Sequence, residues 1–258
     1  MKKALFLSLI FFGSFLSADA LMNAVLSDDR DPKNVLRDDA RNPYETLSFF
    51  QITDEMEVIE LSPGGGWYTE ILANYLYKSG SLIAAHFDED TTSNFLKKIR
   101  KNFEKKMNSN SIYQNVEIVD LSSELSEPNS VDAVLTFRNL HNWLGPMMDN
   151  IFANSYEALK PGGIFGVVEH RAKPGTSLQE MKRTGYVTEQ YAVEEAEKHG
   201  FILFAKSEIN ANSKDTKDYS KGVWTLPPTL RLKEKNKEDY LAIGESDRMT
   251  LLFKKPSK

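Results

Sequence analysis

The apolar pair Val58-Ile59 runs directly into Glu60-Leu61-Ser62-Pro63-Gly64-Gly65-Gly66, and Thr69-Glu70-Ile71-Leu72-Ala73-Asn74-Tyr75-Leu76 follows with helical character. A buried strand, a glycine-rich turn and a helix in that order leave few folds open. Glycine permits positive φ and close approach of a ligand to the backbone, and N–H groups converge at the helix start. Gly64, Gly65 and Gly66 are therefore candidate cofactor-binding positions. Glu60, at the strand's end, offers a carboxylate able to accept hydrogen bonds from a ribose or an amino group. A nucleoside-type ligand is the expectation from this stretch.

The same alternation continues to the C-terminus. Residues 81–85, 116–119, 131–137, 164–168, 201–205 and 249–253 read as further strands, with amphipathic helices between them, the last over residues 188–199. Lys160-Pro161-Gly162-Gly163 stops the helix that carries Ile151, Phe152 and Tyr156, since glycine and proline end helices. Ile164-Phe165-Gly166-Val167-Val168 is apolar on both faces, as a central parallel strand is. Alternating β and α segments predict an α/β, doubly wound sheet.

Two segments fall outside that pattern. The charged run from Ser27 to Pro43 is read as a solvated helical arm, because charge runs are usually solvated faces. The alternative is a lid whose arginines fold over the ligand. Residues 210–246 form a long irregular connection between the last two strands, and such connections are usually functional or disordered. Its Trp224-Thr225-Leu226-Pro227-Pro228 is too apolar to face water and is expected to cap either the body of the domain or a ligand.

Lys2-Lys3, an apolar run from Ala4 to Phe12, Gly13 and then small residues up to Ala20 form the layout of a secretory signal. The apolar run is short for a membrane span, which takes about 20 residues. The expected organisation is a signal in residues 1–20 and a single domain in 21–258, with an N-terminal arm over 21–56. Export, to a periplasm, is the expected localisation, with no membrane association after cleavage. The formal net charge of −5 gives no general attraction to nucleic acid. The absence of cysteine excludes a lipoprotein anchor, disulfides, a thiol nucleophile and a thiolate zinc site.

Glu60-x-Ser62-x-Gly64-x-Gly66 resembles the acid-x-Gly-x-Gly-x-Gly turn of class I S-adenosylmethionine-dependent methyltransferases. Asp120 after the third strand, Asn139-Leu140-His141-Asn142-Trp143 after the fourth, and Ala158-Leu159-Lys160-Pro161-Gly162-Gly163 before the fifth extend the resemblance. It implies a Rossmann-like, seven-stranded, mainly parallel sheet whose last strand is antiparallel, with S-adenosylmethionine as cofactor. It also implies cofactor contacts from Glu60, Ser62, Gly64, Gly65, Gly66, Asp120 and Asn139. Ser62-Pro63-Gly64-Gly65-Gly66-Trp67-Tyr68-Thr69-Glu70, Thr136-Phe137-Arg138-Asn139, Val168-Glu169-His170-Arg171 and Trp224-Thr225-Leu226-Pro227-Pro228 are similar to exported methyltransferases of bacteria. Two positions depart from the pattern. Ser62 stands where the first glycine is usual. His86 follows the second strand, where the family places a ribose-binding acid, and Asp88, the nearest carboxylate, is the cofactor-binding candidate that reaches the same place if the strand ends late.

Methyl transfer from a sulfonium needs an in-line approach and a base for the acceptor's proton. Ligands sit beyond the carboxyl ends of strands in open α/β sheets. His141, in the loop after the fourth strand, is the candidate base, and Glu169 and His170 stand at the same rim as further catalytic candidates. Arg138 and Arg171 are candidates for holding an acidic substrate, and His199 is read as structural. Four histidines without H-E-x-x-H or similar spacing give no metal motif. The expected partner is a small-molecule acceptor. The competing reading is an exported binding protein that keeps the fold without catalysis. A nicotinamide-dependent oxidoreductase fits less well, because the turn lacks the G-x-G-x-x-G order.

Overall fold

The computed structural model describes residues 19–257. The expected signal segment lies outside the described residues up to residue 18. Seven strands form one sheet: β1 (Glu57–Leu61), β2 (Ser81–His86), β3 (Val116–Asp120), β4 (Val131–Phe137), β5 (Leu159–His170), β6 (Ile202–Ser207) and β7 (Arg248–Lys254). Their order across the sheet is β3-β2-β1-β4-β5-β7-β6. β1 to β5 pair in parallel, and β7 lies antiparallel between β5 and β6. The chain winds outward from β1 through β2 to β3, then restarts at β4 on β1's other side. That reversal places a crevice beyond the ends of β1 and β4, the position at which such sheets bind ligands.

Period-two alternation sorts the strands' side chains into two cores. Val58, Leu82, Ala84, Ala133, Leu135, Ile164 and Val168 face one side, and Ile59, Leu61, Ala85, Val134, Phe165 and Val167 the other. Both faces are covered, as parallel strands require. Helix α1 (Trp67–Leu76) and helix α2 (Asn94–Met107) cover the first face; α3 (Pro146–Ala158) and α4 (Glu189–Lys198) cover the second. Local signals set the ends. Ser93 caps α2 through the Leu96 N–H and Thr188 caps α4 through the Tyr191 N–H. α3 stops at Ala158, where the Lys255 ammonium donates to the carbonyls of Tyr156 and Leu159.

β5 is longer than the sequence pattern suggests. Lys160-Pro161-Gly162-Gly163 ends the helix as expected, yet Leu159 is already paired with Val131. Gly162, at φ 84°, makes an irregularity inside the strand, and regular pairing resumes with Ile164 opposite Ala133.

The arm is solvated only in part: Asp28, Asp29, Asp31, Lys33 and Asp39 of the charged run are exposed, whereas Arg30 and Arg41 are buried and the flanking segments dock on the sheet. Residues 19–25 are helical, and Leu21, Ala24, Val25, Leu47 and Phe50 belong to the first core. A glycine makes this docking possible. A Cβ at Gly166 in β5 would lie 2.9 Å from Phe50 Cδ2 and 2.7 Å from Leu135 Cδ2. The missing side chain is the space into which Phe50 packs, and this closeness fixes the arm against the sheet's centre. Gly166→Ala is expected to lower unfolding free energy by about 1–3 kcal/mol through overpacking. Phe50→Ala should lower it by about 3–5 kcal/mol through the cavity it leaves. Urea denaturation followed by circular dichroism measures both.

Candidate active site

The crevice at the reversal point is a cavity of about 370 Å³. Ser62, Pro63, Gly64 and Gly65 come to it from beyond β1, Phe137, Arg138, Asn139 and His141 from beyond β4, and His170 from the end of β5. Asn34, Arg37, Arg41 and Trp67 close it from the arm side. Val223, Trp224, Pro227 and Pro228 of the insertion, with Glu245 and Ser246, close it from above. The apolar Trp-Thr-Leu-Pro-Pro stretch therefore caps a cavity.

The glycine turn is held by its oxygens. The His86 ring nitrogen Nε2 lies 3.1 Å from the Gly64 carbonyl, and the Phe87 N–H donates to His86 Nδ1 at 2.8 Å. Those two partners require a neutral ring with its hydrogen on Nε2, in keeping with burial that lowers its pKa. Lys106 of α2 donates to the carbonyls of Gly65 and Gly66 at 3.0 and 3.3 Å. Asn139 donates to the carbonyls of Leu61 and Ser62 at 3.1 and 3.2 Å. Ser62 itself adopts φ 49° and Gly64 φ 61°, the left-handed region. A Cβ at Gly64 or Gly65 would meet nothing within 4 Å, so the turn opens onto free space. The Ser62 hydroxyl is buried without a hydrogen-bond partner among the described residues. An open glycine cradle beside an unsatisfied buried donor fits a polar ligand laid against the turn.

The remaining cofactor candidates stand apart from the cavity. Glu60 points into the first core, where the Thr69 hydroxyl donates to its carboxylate at 2.6 Å. Asp88 accepts from the Ser122 N–H and hydroxyl at 3.0 and 2.7 Å. Asp120 is paired with Arg100 and accepts from the Glu89 N–H. His86, directly opposite Asp120 in the sheet register, fills the end of β2.

The catalytic candidates do come together. His141 Nδ1 lies 3.1 Å from Glu169 Oε1, and the His141 N–H donates to Oε2 at 3.3 Å. The His170 N–H donates to Oε1 at 2.7 Å. Glu169 is fully buried, and three N–H groups converge on its two oxygens. An ionised carboxylate only accepts, which places the hydrogen on His141 Nδ1 and leaves Nε2 with the lone pair of a base. The ring lies 5.3 Å from that of His170 and 6.0 Å from that of Trp224. His170 Nδ1 is 2.5 Å from the Ser246 hydroxyl. Burial first, then the nearby His141, Arg138, Arg248 and Arg41, hold its pKa well below the ordinary histidine value.

His141, Glu169 and His170 each offer a ligand atom within 4.8 Å of the others, close enough to hold a metal ion. The surrounding charge works against a cation there. Arg37, Arg41, Arg138 and Arg248 all approach Glu245, at 2.6, 3.5, 3.7 and 3.3 Å. Of the two arginines singled out in the sequence, only Arg138 lies here. Arg171 is bound by Asp247 and Glu208 away from the cavity. His199 faces Asp149 at the surface. Arg37, Arg41 and Glu245 carry no motif in the sequence and become site residues only by folding. The arginine lid weighed for the arm, and set second there, describes Arg37 and Arg41 better than a solvated face does.

Residues 59–167 match the family described as "Methyltransferase domain". No curated protein matches the sequence. Solved structures share the fold. A SAM-dependent methyltransferase from Aquifex aeolicus has a TM-score of 0.58 at 14% identity, over 92% of this chain and 98% of that one. A SAM-dependent methyltransferase from Methanosarcina mazei has a TM-score of 0.53 at 14% identity, over 82% and 98%. The (4+2)-cyclase SpnF has a TM-score of 0.61 at 15% identity, over 96% of each chain. The architecture is the Rossmann-like fold of class I methyltransferases.

Burial pushes the Glu60 carboxyl up to about 7, against opposing effects of Thr69 and Lys106. A carboxyl raised on folding contributes stability that is fully present below its unfolded value and lost as pH rises through about 7. Glu60→Gln should therefore flatten the fall in urea midpoint between about pH 5 and 8, by on the order of 3 kcal/mol.

Proposed function

We propose that this protein transfers a methyl group from S-adenosylmethionine to a small molecule, with His141 as general base. The observation that carries this reading is the Glu169–His141 pair, which stands on the same cavity as the glycine turn. Ser62, Gly64, Gly65 and Asn139 are the residues placed to hold the cofactor. The chemistry it supplies is an activated methyl. The acceptor atom bonds to the methyl carbon as the carbon–sulfur bond breaks, and the electron pair stays on sulfur.

The chain's own part is positioning and proton removal. His141 Nε2 takes the acceptor's proton, and the Glu169 carboxylate at Nδ1 stabilises the imidazolium that results. Trp224, Pro227 and Pro228 cover this end of the cavity and keep water from it. A volume of about 370 Å³ is in the small-molecule range and supports a small acceptor. The leader-like segment with Lys2, Lys3 and the following apolar run supports action after export, in the periplasm.

Titration calorimetry with S-adenosylhomocysteine is expected to give a Kd in the micromolar range, about −8 kcal/mol. No heat up to millimolar ligand removes the reading. Gly64→Val places a branched side chain in the open cradle, at a φ of 61°, and should weaken that affinity at least about tenfold. With methyl-labelled S-adenosylmethionine and a small-molecule extract, His141→Ala should reduce label transfer at least about 100-fold. Its affinity for S-adenosylhomocysteine should stay close to that of the unchanged protein. Equal loss of binding and transfer would assign His141 to the fold instead.

A further inference from the structure

The charge around the cavity is not balanced by the protein. Arg37, Arg41, Arg138 and Arg248 converge on the single carboxylate of Glu245, and Glu169 is the other acid beside the cavity. Four guanidiniums against two carboxylates leave two positive charges in excess. The nearby ion pairs outside the cavity are taken up among themselves, and the buried Asp215 is held by the Tyr186 hydroxyl and the Asp247 N–H. Arg171 and Lys217 are matched by Asp247 and Glu208, and Arg30 and Lys106 by Asp38 and Glu70. Uncompensated charge in a largely buried place is costly, and folds retain it where a ligand completes it.

Arg41 shows where the completing charge belongs. It is 2% exposed and lines the cavity, yet its Nε and Nη1 are buried without a hydrogen-bond acceptor. Its guanidinium is fixed over the Trp67 ring at 4.5 Å, and the Trp67 N–H is in turn held by the Asn34 carbonyl at 2.9 Å. Arg138, which approaches the same Glu245 oxygen, is kept at φ 64° with its N–H on the Val168 carbonyl. A bulky residue in that region stores strain, which persists where the side chain's direction serves a site. Burial and the adjacent Arg138 lower the Arg41 pKa to about 7, the response of a cation lacking its anion.

S-Adenosylmethionine does not remove the excess of charge. Its sulfonium and ammonium outnumber its carboxylate, so it brings a further net positive charge to the cavity. We infer that the acceptor carries an oxyanion, a carboxylate or phosphate, which Arg41 and Arg138 hold while its reacting atom faces His141. This rests on the methyl-transfer reading and narrows it to anionic small molecules. The acceptor atom bonds to the methyl carbon, its proton goes to His141 Nε2, and the oxyanion is unchanged.

The test is calorimetry with malonate and with inorganic phosphate, on protein first saturated with S-adenosylhomocysteine, at fixed ionic strength in sodium chloride. The expected result is binding of at least one anion in the millimolar range or tighter. Arg41→Gln and, as the more exposed and structurally milder change, Arg37→Gln should each weaken it at least about fivefold, while Arg171→Gln leaves it unchanged. Three results overturn the inference. One is no anion binding to the loaded protein. Another is displacement of the anion by S-adenosylhomocysteine, which assigns the arginines to the cofactor's carboxylate. The third is equal anion affinity in all variants, an adventitious effect of surface charge. Failure of S-adenosylhomocysteine itself to bind is a separate result, which removes the methyl-transfer reading and this inference with it.

Discussion

Everything at the site depends on turning the carbonyls of one short loop away from the ligand. Between Leu61 and Gly66 the backbone reverses from strand to helix, and its oxygens are claimed by His86, Lys106 and Asn139. These donors come from β2, from α2 and from the loop after β4. The turn is thereby pinned by the three neighbours it must pack against in this topology. Its geometry follows from tertiary structure as much as from its glycines. This explains how Ser62 is tolerated at φ 49°: the surrounding hydrogen bonds set the backbone, and the residue's own preference is overruled.

The second organising interaction is electrostatic and joins distant stretches. Glu245 gathers arginines numbered 37, 41, 138 and 248, so one carboxylate ties the arm, the loop after β4 and the start of β7 together. In a site of low polarity such a cluster is strong but also demanding, because each guanidinium needs acceptors that a single carboxylate cannot supply. Arg248 solves this locally by donating to the carbonyls of Ala40 and Ser246, and Arg37 by direct hydrogen bonding to Glu245. Arg41 has neither solution.

The sheet was readable from the chain because its strands announce themselves by period-two apolar alternation and its helices by caps such as Ser93 and Thr188. The rim residues Asn139, His141, Glu169 and His170 were readable because strand ends in this fold point at the ligand. What stayed hidden depends on contacts between residues far apart in sequence. The arm's arginines look like any solvated charge run, and only Gly166, by making room for Phe50, reveals that the arm must lie down on the sheet. Glu60 and Asp120 stand at positions that the resemblance marks, and Asp88 two residues beyond another, yet each finds a protein partner in Thr69, Ser122 or Arg100. A position in a motif says where a carboxylate begins, and neighbours decide where it ends.

The docking of Phe50 also distinguishes the two walls of the cavity. One wall of the cavity is continuous with the hydrophobic core, since Leu47 and Phe50 are fully buried under the same stretch that carries Arg37 and Arg41. Swinging that wall outward would expose core surface, so it behaves as masonry. The opposite wall is the insertion, where Pro228 and Thr229 lie at the surface. The cavity is thus bounded by a wall rooted in the core on one side and by surface prolines on the other.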